Sequence, residues 1–183
     1  MQNFKDIPLI NKDTLKKNKK YFLRADVSQN IKYCYTNGST GGRVSIAYDQ
    51  EAVDWSSAVM IFCRGLYGHK LRKKEVHLST DTRSNLKGDQ INQFAKEWAN
   101  NRSNIFISNF NNKSILNYLD QLRTKKTNLL HGMPSQIHGL IKNVSKGFKI
   151  PLVETSGEVL RSNQRENIEN FFSTKVIDRY GLA

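Results

Sequence analysis

Short apolar runs of the strand type alternate with longer segments of helical periodicity along most of this chain. The clearest strand-type runs are IKYCY at 31–35, VSIAY at 44–48, NLLH at 128–131 and the segment 150–155. The clearest helical segments, with apolar residues every three or four positions, are Asp89–Asn100, Lys113–Thr124 and Asn163–Phe172. Strands that alternate with helices pack as layers, so this order predicts an α/β fold with a mixed sheet and flanking helices.

The weaker patterns complete this assignment. They predict helices at Lys12–Lys20, Asp49–Cys63 (with Asp49 as N-cap) and Ser135–Lys146, and strands at Glu75–Ser79, Ile105–Ser108 and Lys175–Asp178. In the helix at Lys113–Thr124, the spacing predicts that Ile115, Leu116, Leu119 and Leu122 face inward.

The charge balance favours an anionic ligand. The 183 residues include 29 Lys and Arg against 16 Asp and Glu, a net charge of +13, and such a field attracts either nucleic acid or a small polyanion such as ATP. The basic clusters Lys16–Lys20, Arg72–Lys74 and Arg123–Lys126 are separated in sequence and contain no aromatic residue. We therefore expect a solvated basic surface and no nucleic-acid partner.

The composition also favours a cytoplasmic protein. No run of 18 apolar residues is present, and the first 20 residues lack the apolar stretch of a secretory signal, so no membrane partner is expected. The two cysteines, Cys34 and Cys63, are then expected to be reduced thiols.

A glycine-rich segment, TNGSTGGR at Thr36–Arg43, separates two strand-type runs. Glycine allows close backbone approach to a ligand, and successive N–H groups with Ser and Thr hydroxyls can bind phosphate oxygens. The segment lacks the GK[ST] ending of a Walker P-loop. From these residues alone, an ordinary glycine-rich hairpin turn remains an alternative.

Three further segments place polar residues and glycines at strand ends. They are LLHGMPSQIHGL at Leu129–Leu140, TSGE at Thr155–Glu158, and the pair Tyr180-Gly181. Loops at the carboxyl ends of strands are where ligands bind in open α/β sheets. The alternative is that these are plain strand-to-helix connections, with hydrogen-bonded structural histidines and a core tyrosine.

The order of these segments resembles the adenylate-forming superfamily. The loop of form [ST]-x-G-[ST]-T-G is followed by a strand and PS, then SGE-x-L with a helix containing R-x-x-I-E, then D-x-YG-L. The match is strongest to the phenylacetate–CoA ligase group, including relatives encoded with capsular polysaccharide genes, and the opening IPLINKDTLKKN is similar to that group's lead-in. The resemblance extends over nearly the whole chain.

This resemblance implies a set of site residues. The β- and γ-phosphates of ATP would contact Thr36, Asn37, Gly38, Ser39, Thr40 and Gly41, with the Thr40 hydroxyl nearest Mg²⁺. The adenine would be bound by Ser156, Gly157, Glu158, Tyr180 and Gly181. The acyl pocket would include His131, Met133, Pro134 and Ser135.

The sequence also departs from the family pattern. Gly42-Arg43 stands where many relatives have Pro-Lys, so no catalytic lysine is assigned there. The pattern continues Y-G-x-x-E, and its acidic residue, its ribose-binding aspartate and its C-terminal lid domain have no counterpart in these residues. We therefore expect residues 1–183 to be a partial N-terminal adenylation domain that does not complete adenylation by itself.

The implied function is that of an acid–thiol ligase fragment. The substrates would be a small carboxylate and ATP with Mg²⁺, and CoA would be the acyl acceptor. Two other interpretations stay open on the sequence: a non-catalytic basic module that binds nucleic acid, and an inactive degenerate fragment.

Overall fold

A computed structural model describes residues 8–23, 31–35, 44–80, 95 and 97–180, and divides the chain into two units, residues 1–60 and residues 61–182. The first unit contains α1 (Lys12–Lys17), a 3₁₀ helix (Lys19–Phe22), β1 (Lys32–Tyr35) and β2 (Ser45–Tyr48). The helix α2 (Gln50–Leu66) begins in the first unit and ends in the second.

The first unit contains an antiparallel pair. β1 pairs with β2, with Tyr33 opposite Ala47, which confirms that the glycine-rich segment joins two neighbouring strands. That segment, 36–43, lies outside the described residues. At the start of α2, Oδ1 of Asp49 accepts a hydrogen bond from the Ala52 N–H at 2.7 Å, which confirms the predicted N-cap.

The second unit is built on a five-stranded parallel sheet. Its strands and helices are β3 (Glu75–Thr80), β4 (Arg102–Ile107), α3 (Asn112–Thr124), β5 (Leu129–Gly132), α4 (Pro134–Ile141), β6 (Leu152–Ser156), α5 (Ser162–Phe172) and β7 (Val176–Arg179). The strands lie in the order β4-β3-β5-β6-β7, and each neighbouring pair is parallel. Parallel and antiparallel pairings therefore both occur, in separate sheets.

One face of the parallel sheet is apolar and forms the core. Side chains alternate between the two faces of a strand, and Val76, Leu130 and Val153 on this face are fully buried. The helices contribute the buried residues Ile115, Leu119, Leu122, Ile137, Leu140, Ile168 and Phe172 to the same cluster. Helices that cover a parallel sheet in this way are the expected solution for strands with apolar faces.

The opposite face of the same strands carries a row of polar residues. They are Arg102, Asn104, Glu75, His77, His131, Glu154, Ser156 and Arg179. The apolar residues Phe106, Leu129, Leu152 and Ile177 lie on this face as well. The register sets His77 beside His131 and His131 beside Glu154. Residues far apart in sequence are thus lateral neighbours on one face.

The strand order creates a switch point in the sheet. The chain passes from β3 to β4 on one side and then returns to place β5 on the other side of β3. In such sheets the loops at the carboxyl ends diverge at the switch point and leave a crevice where ligands bind. The switch point lies between β3 and β5. A ligand site is therefore expected at the carboxyl edge of the sheet, which includes the ends of β5, β6 and β7.

Two sequence expectations differ from the structure. Ile115, Leu119 and Leu122 are buried as predicted, but Leu116 is 61% exposed and Tyr118 is buried in its place, because the inward face of α3 follows the spacing i, i+3, i+4, i+7 from Ile115. The helix predicted to reach Lys146 ends at Ile141. Trp55, Val59 and Phe62, whose spacing predicts α2, are each more than half exposed, so their periodicity marks a helix and not a buried face.

Candidate functional site

The loops that follow β5 and β6 are joined at the carboxyl edge of the sheet. The backbone N–H of Ser135, in the first turn of α4, donates to Oε2 of Glu158 at 3.1 Å. Pro134 is the first residue of α4, where its missing N–H is not needed. A carboxylate at a helix N-terminus satisfies an otherwise unpaired donor and complements the helix dipole. Glu158 therefore holds the β6 loop against the start of α4.

Gly157 shapes the β6 loop through its backbone conformation. Its φ is +85°, in the left-handed region that side-chain-bearing residues rarely adopt. A Cβ at this position would lie 3.8 Å from Cγ of Met133, which is an ordinary contact. The backbone angle, and not crowding, is thus the reason for glycine here.

His131 and Ser156 form a hydrogen-bonded pair beside these loops. Nε2 of His131 lies 3.0 Å from Oγ of Ser156 and 3.5 Å from Nη2 of Arg179. Arginine can only donate, so Nε2 is the acceptor, the ring proton is on Nδ1, and the Ser156 hydroxyl donates. Burial, with the charges of His77 and Arg179, lowers the pKa of His131 to about 3. The imidazole is neutral, and the Ser156 oxygen keeps its lone pairs for a donor on a ligand.

Glu154 lies next to His131 on the same face of the sheet. Its carboxylate accepts two hydrogen bonds from one edge of the Arg64 guanidinium, at 2.6 Å from Nε and 3.1 Å from Nη2, and Arg179 Nε lies at 3.5 Å. Only 2% of the Glu154 side chain is exposed. Burial opposes its ionisation, but the hydrogen bond and charge of Arg64 outweigh burial and lower the pKa of Glu154. Glu154 is therefore a buried, ionised carboxylate on this face of the sheet.

Glu75 is the second buried carboxylate of the polar face. It accepts contacts from Arg64 at 3.3 Å, His69 at 3.2 Å, His77 at 3.3 Å and Arg102 at 3.4 Å. Burial raises its pKa, but the His77 hydrogen bond and the charges of Arg64 and Arg102 outweigh burial and lower the pKa of Glu75 to about 2. Arg64 therefore bridges two carboxylates and connects the end of α2 to β3 and β6.

This arrangement is not a catalytic triad. In a triad, the carboxylate binds one imidazole nitrogen and the serine binds the other. Here Glu154, at 3.7 Å, and Ser156 both lie near Nε2 of His131. With a pKa of about 3, His131 is also too weak a base to activate the hydroxyl. The cluster can orient polar groups at the sheet edge, but the described contacts do not make Ser156 a nucleophile.

Tyr180 follows β7 at the same edge. Its side chain is 88% exposed, so the ring is free to contact a ligand. Two residues earlier, Asp178 accepts a hydrogen bond at 2.9 Å from the buried Thr155 hydroxyl, which fixes the end of β7 against β6. The exposed ring of Tyr180 therefore follows a strand whose end is hydrogen-bonded to β6.

The structure brings most of the proposed site residues to one edge. His131 contacts Ser156, Met133 adjoins Gly157, and Ser135 contacts Glu158. Residues predicted to bind adenine therefore lie in contact with residues predicted to border the acyl group. The phosphate set Thr36, Asn37, Gly38, Ser39, Thr40 and Gly41, and the adenine residue Gly181, lie outside the described residues.

Sequence reasoning missed the ionic part of this site. Arg64, Glu75, His77, Glu154 and Arg179 were not among the candidates. The available signal was the alternation of charged with apolar residues inside the strands EVHLST, LVETS and VIDR, which predicts one polar sheet face.

A metal centre and a membrane span are not features of the described part. Among the residues that the structure describes, no group of three or more His, Cys, Asp and Glu side chains could hold a metal ion. Within the same ranges, no helix is long and apolar enough to cross a membrane. Cys34 and Cys63 are free and exposed.

Comparison with known proteins gives a structural likeness and no sequence match. No protein-family model matches the sequence, and no curated protein matches it. VinN superposes with a TM-score of 0.56 at 14% identity, covering 82% of this chain and 36% of VinN. An open conformation of 2-hydroxyisobutyryl-CoA ligase, in complex with 2-HIB-AMP and CoA, gives 0.54 at 15% identity, covering 96% of this chain and 40% of the ligase.

A third similar structure is ATP-bound MatB from Rhodopseudomonas palustris. Its TM-score is 0.55 at 17% identity, and the match covers 82% of this chain and 28% of MatB. This chain therefore spans between 28% and 40% of the length of these three proteins. The protein has the fold of part of an adenylate-forming enzyme domain.

Proposed function

We propose that this chain is part of an ATP-dependent adenylate-forming ligase that acts in the cytoplasm. In the first step, a carboxylate oxygen would attack the α-phosphorus of ATP, and the bond to pyrophosphate would break. In the second step, a thiol, that of CoA, would attack the acyl carbon and release AMP. The observation that carries the proposal is the set of joined loops at the carboxyl edge of a parallel sheet whose fold is shared with CoA ligases.

Within this proposal, the described loops form the adenine side of the site. The exposed Tyr180 ring would lie against the base, and Gly157 would allow the backbone to approach its other face. The Ser156 hydroxyl donates a hydrogen bond to His131, so its oxygen is available as an acceptor, which suits the amino group of adenine. His131 and Glu154 are positioning residues, since they act on a ligand only through Ser156.

The phosphate and acyl sides follow from the resemblance. Residues 36–41 would bind the phosphates of ATP, which enters as its Mg²⁺ complex, with the Thr40 hydroxyl beside the metal. Met133, Pro134 and Ser135 would border the acyl group. Fixed donors of this kind stabilise charge that develops in the transition state. We assign the chain to the phenylacetate–CoA ligase-like group on the sequence motifs alone.

ATP binding tests the adenine assignment directly. We expect Tyr180→Ala to weaken ATP binding about tenfold, because stacking of a base on an aromatic ring contributes about 1–3 kcal/mol. Tyr67→Ala is the matched control, since Tyr67 is also exposed but lies at the end of α2. Titration calorimetry with Mg-ATP on the full chain gives both affinities. Equal affinities for the two variants, or no ATP binding by the parent chain at millimolar concentration, would contradict the proposal.

A further inference from the structure

Two basic clusters that are separated in sequence meet at the amino edge of the parallel sheet. Arg72 and Lys74 lie in the turn before β3, Arg102 begins β4, and Lys125 follows α3 before β5. In a parallel sheet every helix-to-strand connection enters at the amino edge, and β4, β3 and β5 are adjacent. The fold therefore collects these four cations around one opening.

The opening is a cavity of about 630 Å³. Its walls include Arg72, Lys74, Arg102 and Lys125 and a single acidic residue, Glu97. Ligand pockets of about 300–1,000 Å³ hold small molecules of nucleotide size. The excess of positive charge around this opening favours an anion.

Of the four cations of the cavity, Arg102 contacts Glu75 at 3.4 Å, and the other three are poorly neutralised by the described residues. Within the described part of the chain, Arg72, Lys74 and Lys125 form no ion pair, and Lys74 Nζ donates only to Oδ1 of Asn101, at 3.4 Å. Burial and the nearby charge of Lys125 lower the pKa of Lys74. Arg102 Nε is buried and has no hydrogen-bond partner among the described residues. Buried donors are normally paired, so Arg102 has donor capacity that the protein does not use.

An aromatic ring stands beside these cations. Trp98 lines the cavity, and the residue is 72% exposed. Asn101 and Asn104 in the same wall offer amide groups. An exposed indole next to several cations is the arrangement that binds a nucleotide, with the base on the ring and the phosphate on the cations.

We propose that this cavity binds the phosphate of a small nucleotide, with the base against Trp98. A single indole and a volume suited to one nucleotide favour a mononucleotide over a nucleic-acid strand, which needs a groove with successive stacking rings. The cavity lies at the opposite edge of the sheet from the loops after β5 and β6, so it is independent of the proposed ligase site.

Tryptophan fluorescence can report this site by itself. The chain has two tryptophans, Trp55 and Trp98, so the full-length Trp55→Phe protein has Trp98 as its only indole. We expect AMP to quench its emission in a saturable way. Inorganic pyrophosphate, which has no base, should compete with AMP without quenching.

Charge variants in the Trp55→Phe background test the phosphate contacts. Arg72→Gln and Lys125→Gln should each weaken AMP binding about tenfold, the range for losing one hydrogen bond to a charged group. Lys113→Gln, at the other end of α3 from Lys125, is the matched control and should leave the affinity unchanged. Far-UV circular dichroism verifies that each variant folds.

Several results would overturn the proposal. The first is that millimolar AMP does not quench Trp98 emission. The second is that Lys113→Gln and Lys125→Gln lower the affinity for AMP equally. The third is that Tyr180→Ala abolishes the quenching of Trp98 by AMP, which would place AMP at the carboxyl edge. An oligonucleotide that binds more than about 100-fold tighter than AMP, with affinity that falls steeply with salt, would show a nucleic-acid surface instead.

Discussion

Arg64 links the end of α2 to two buried carboxylates, and its removal should destabilise the second unit strongly. Only 4% of its side chain is exposed, and it contacts Glu154 at 2.6 Å and Glu75 at 3.3 Å. Arg64→Met keeps a similar length and apolar stem but removes every donor. Among the described residues, Glu154 would then keep only Arg179, at 3.5 Å, as an ionic partner besides the neutral His131.

The expected cost follows from leaving a buried charge without its main partner. Breaking a buried ion pair in this way costs about 3–5 kcal/mol, against a total stability of about 5–15 kcal/mol for a typical domain. The loss should be at the lower end of that range, because Glu75 keeps His69, His77 and Arg102. Arg64→Lys should give an intermediate loss, since an ammonium cannot reproduce the bidentate contact with Glu154.

Urea unfolding of the full chain, followed by circular dichroism, measures these changes. Arg161→Met, at an exposed arginine just before α5, is the control and should change stability by less than about 0.5 kcal/mol. The double variant Arg64→Met/Glu154→Gln should recover part of the loss, because the unpaired charge is removed with its partner. The reasoning fails if Arg64→Met costs no more than Arg161→Met, or if the two substitutions at Arg64 and Glu154 are simply additive.

Two further predictions concern pH and backbone conformation. Burial lowers the pKa of His131 to about 3 and also lowers the pKa of His77. The contribution of His131 to stability is therefore complete above about pH 6.5 and is lost as the pH falls towards 3, by about 1.4 kcal/mol per pH unit, and His77 acts in the same direction. Urea midpoints between about pH 7.5 and pH 5 should show this slope, and His131→Gln should reduce it; a slope unchanged by the substitution would contradict the assignment. Gly157→Ala should destabilise by about 1–2 kcal/mol because φ is +85°, whereas Gly65→Ala, with nothing within 4 Å of the added Cβ, should be neutral or stabilising by up to about 1 kcal/mol. Thermal unfolding compares the two glycine variants, and a reversed order would refute the backbone argument.

Local sequence patterns determined the element order and the fold class. Alternation of apolar residues located the strand at 44–48, and short apolar runs located those at 128–131 and 150–155, each to within a few residues. Asp49 marked the start of α2. These signals are short-range, because strand periodicity and caps depend on neighbours within about one turn. The sequence likewise identified Gly157 as a site residue from its place in a loop at the end of a strand. What this position requires is local, namely a positive φ.

Tertiary structure alone decided which polar residues meet. Arg64 and Glu154 are 90 residues apart, and nothing in either local segment predicts that they pair. The clusters at Arg72–Lys74 and Arg123–Lys126, separated in the sequence, line one cavity with Trp98 because three strands enter the sheet side by side. Strand order and register are long-range properties that no periodicity encodes. The sequence therefore determined what kind of layers this chain forms, whereas the sheet decided which charges are buried together and which face a ligand.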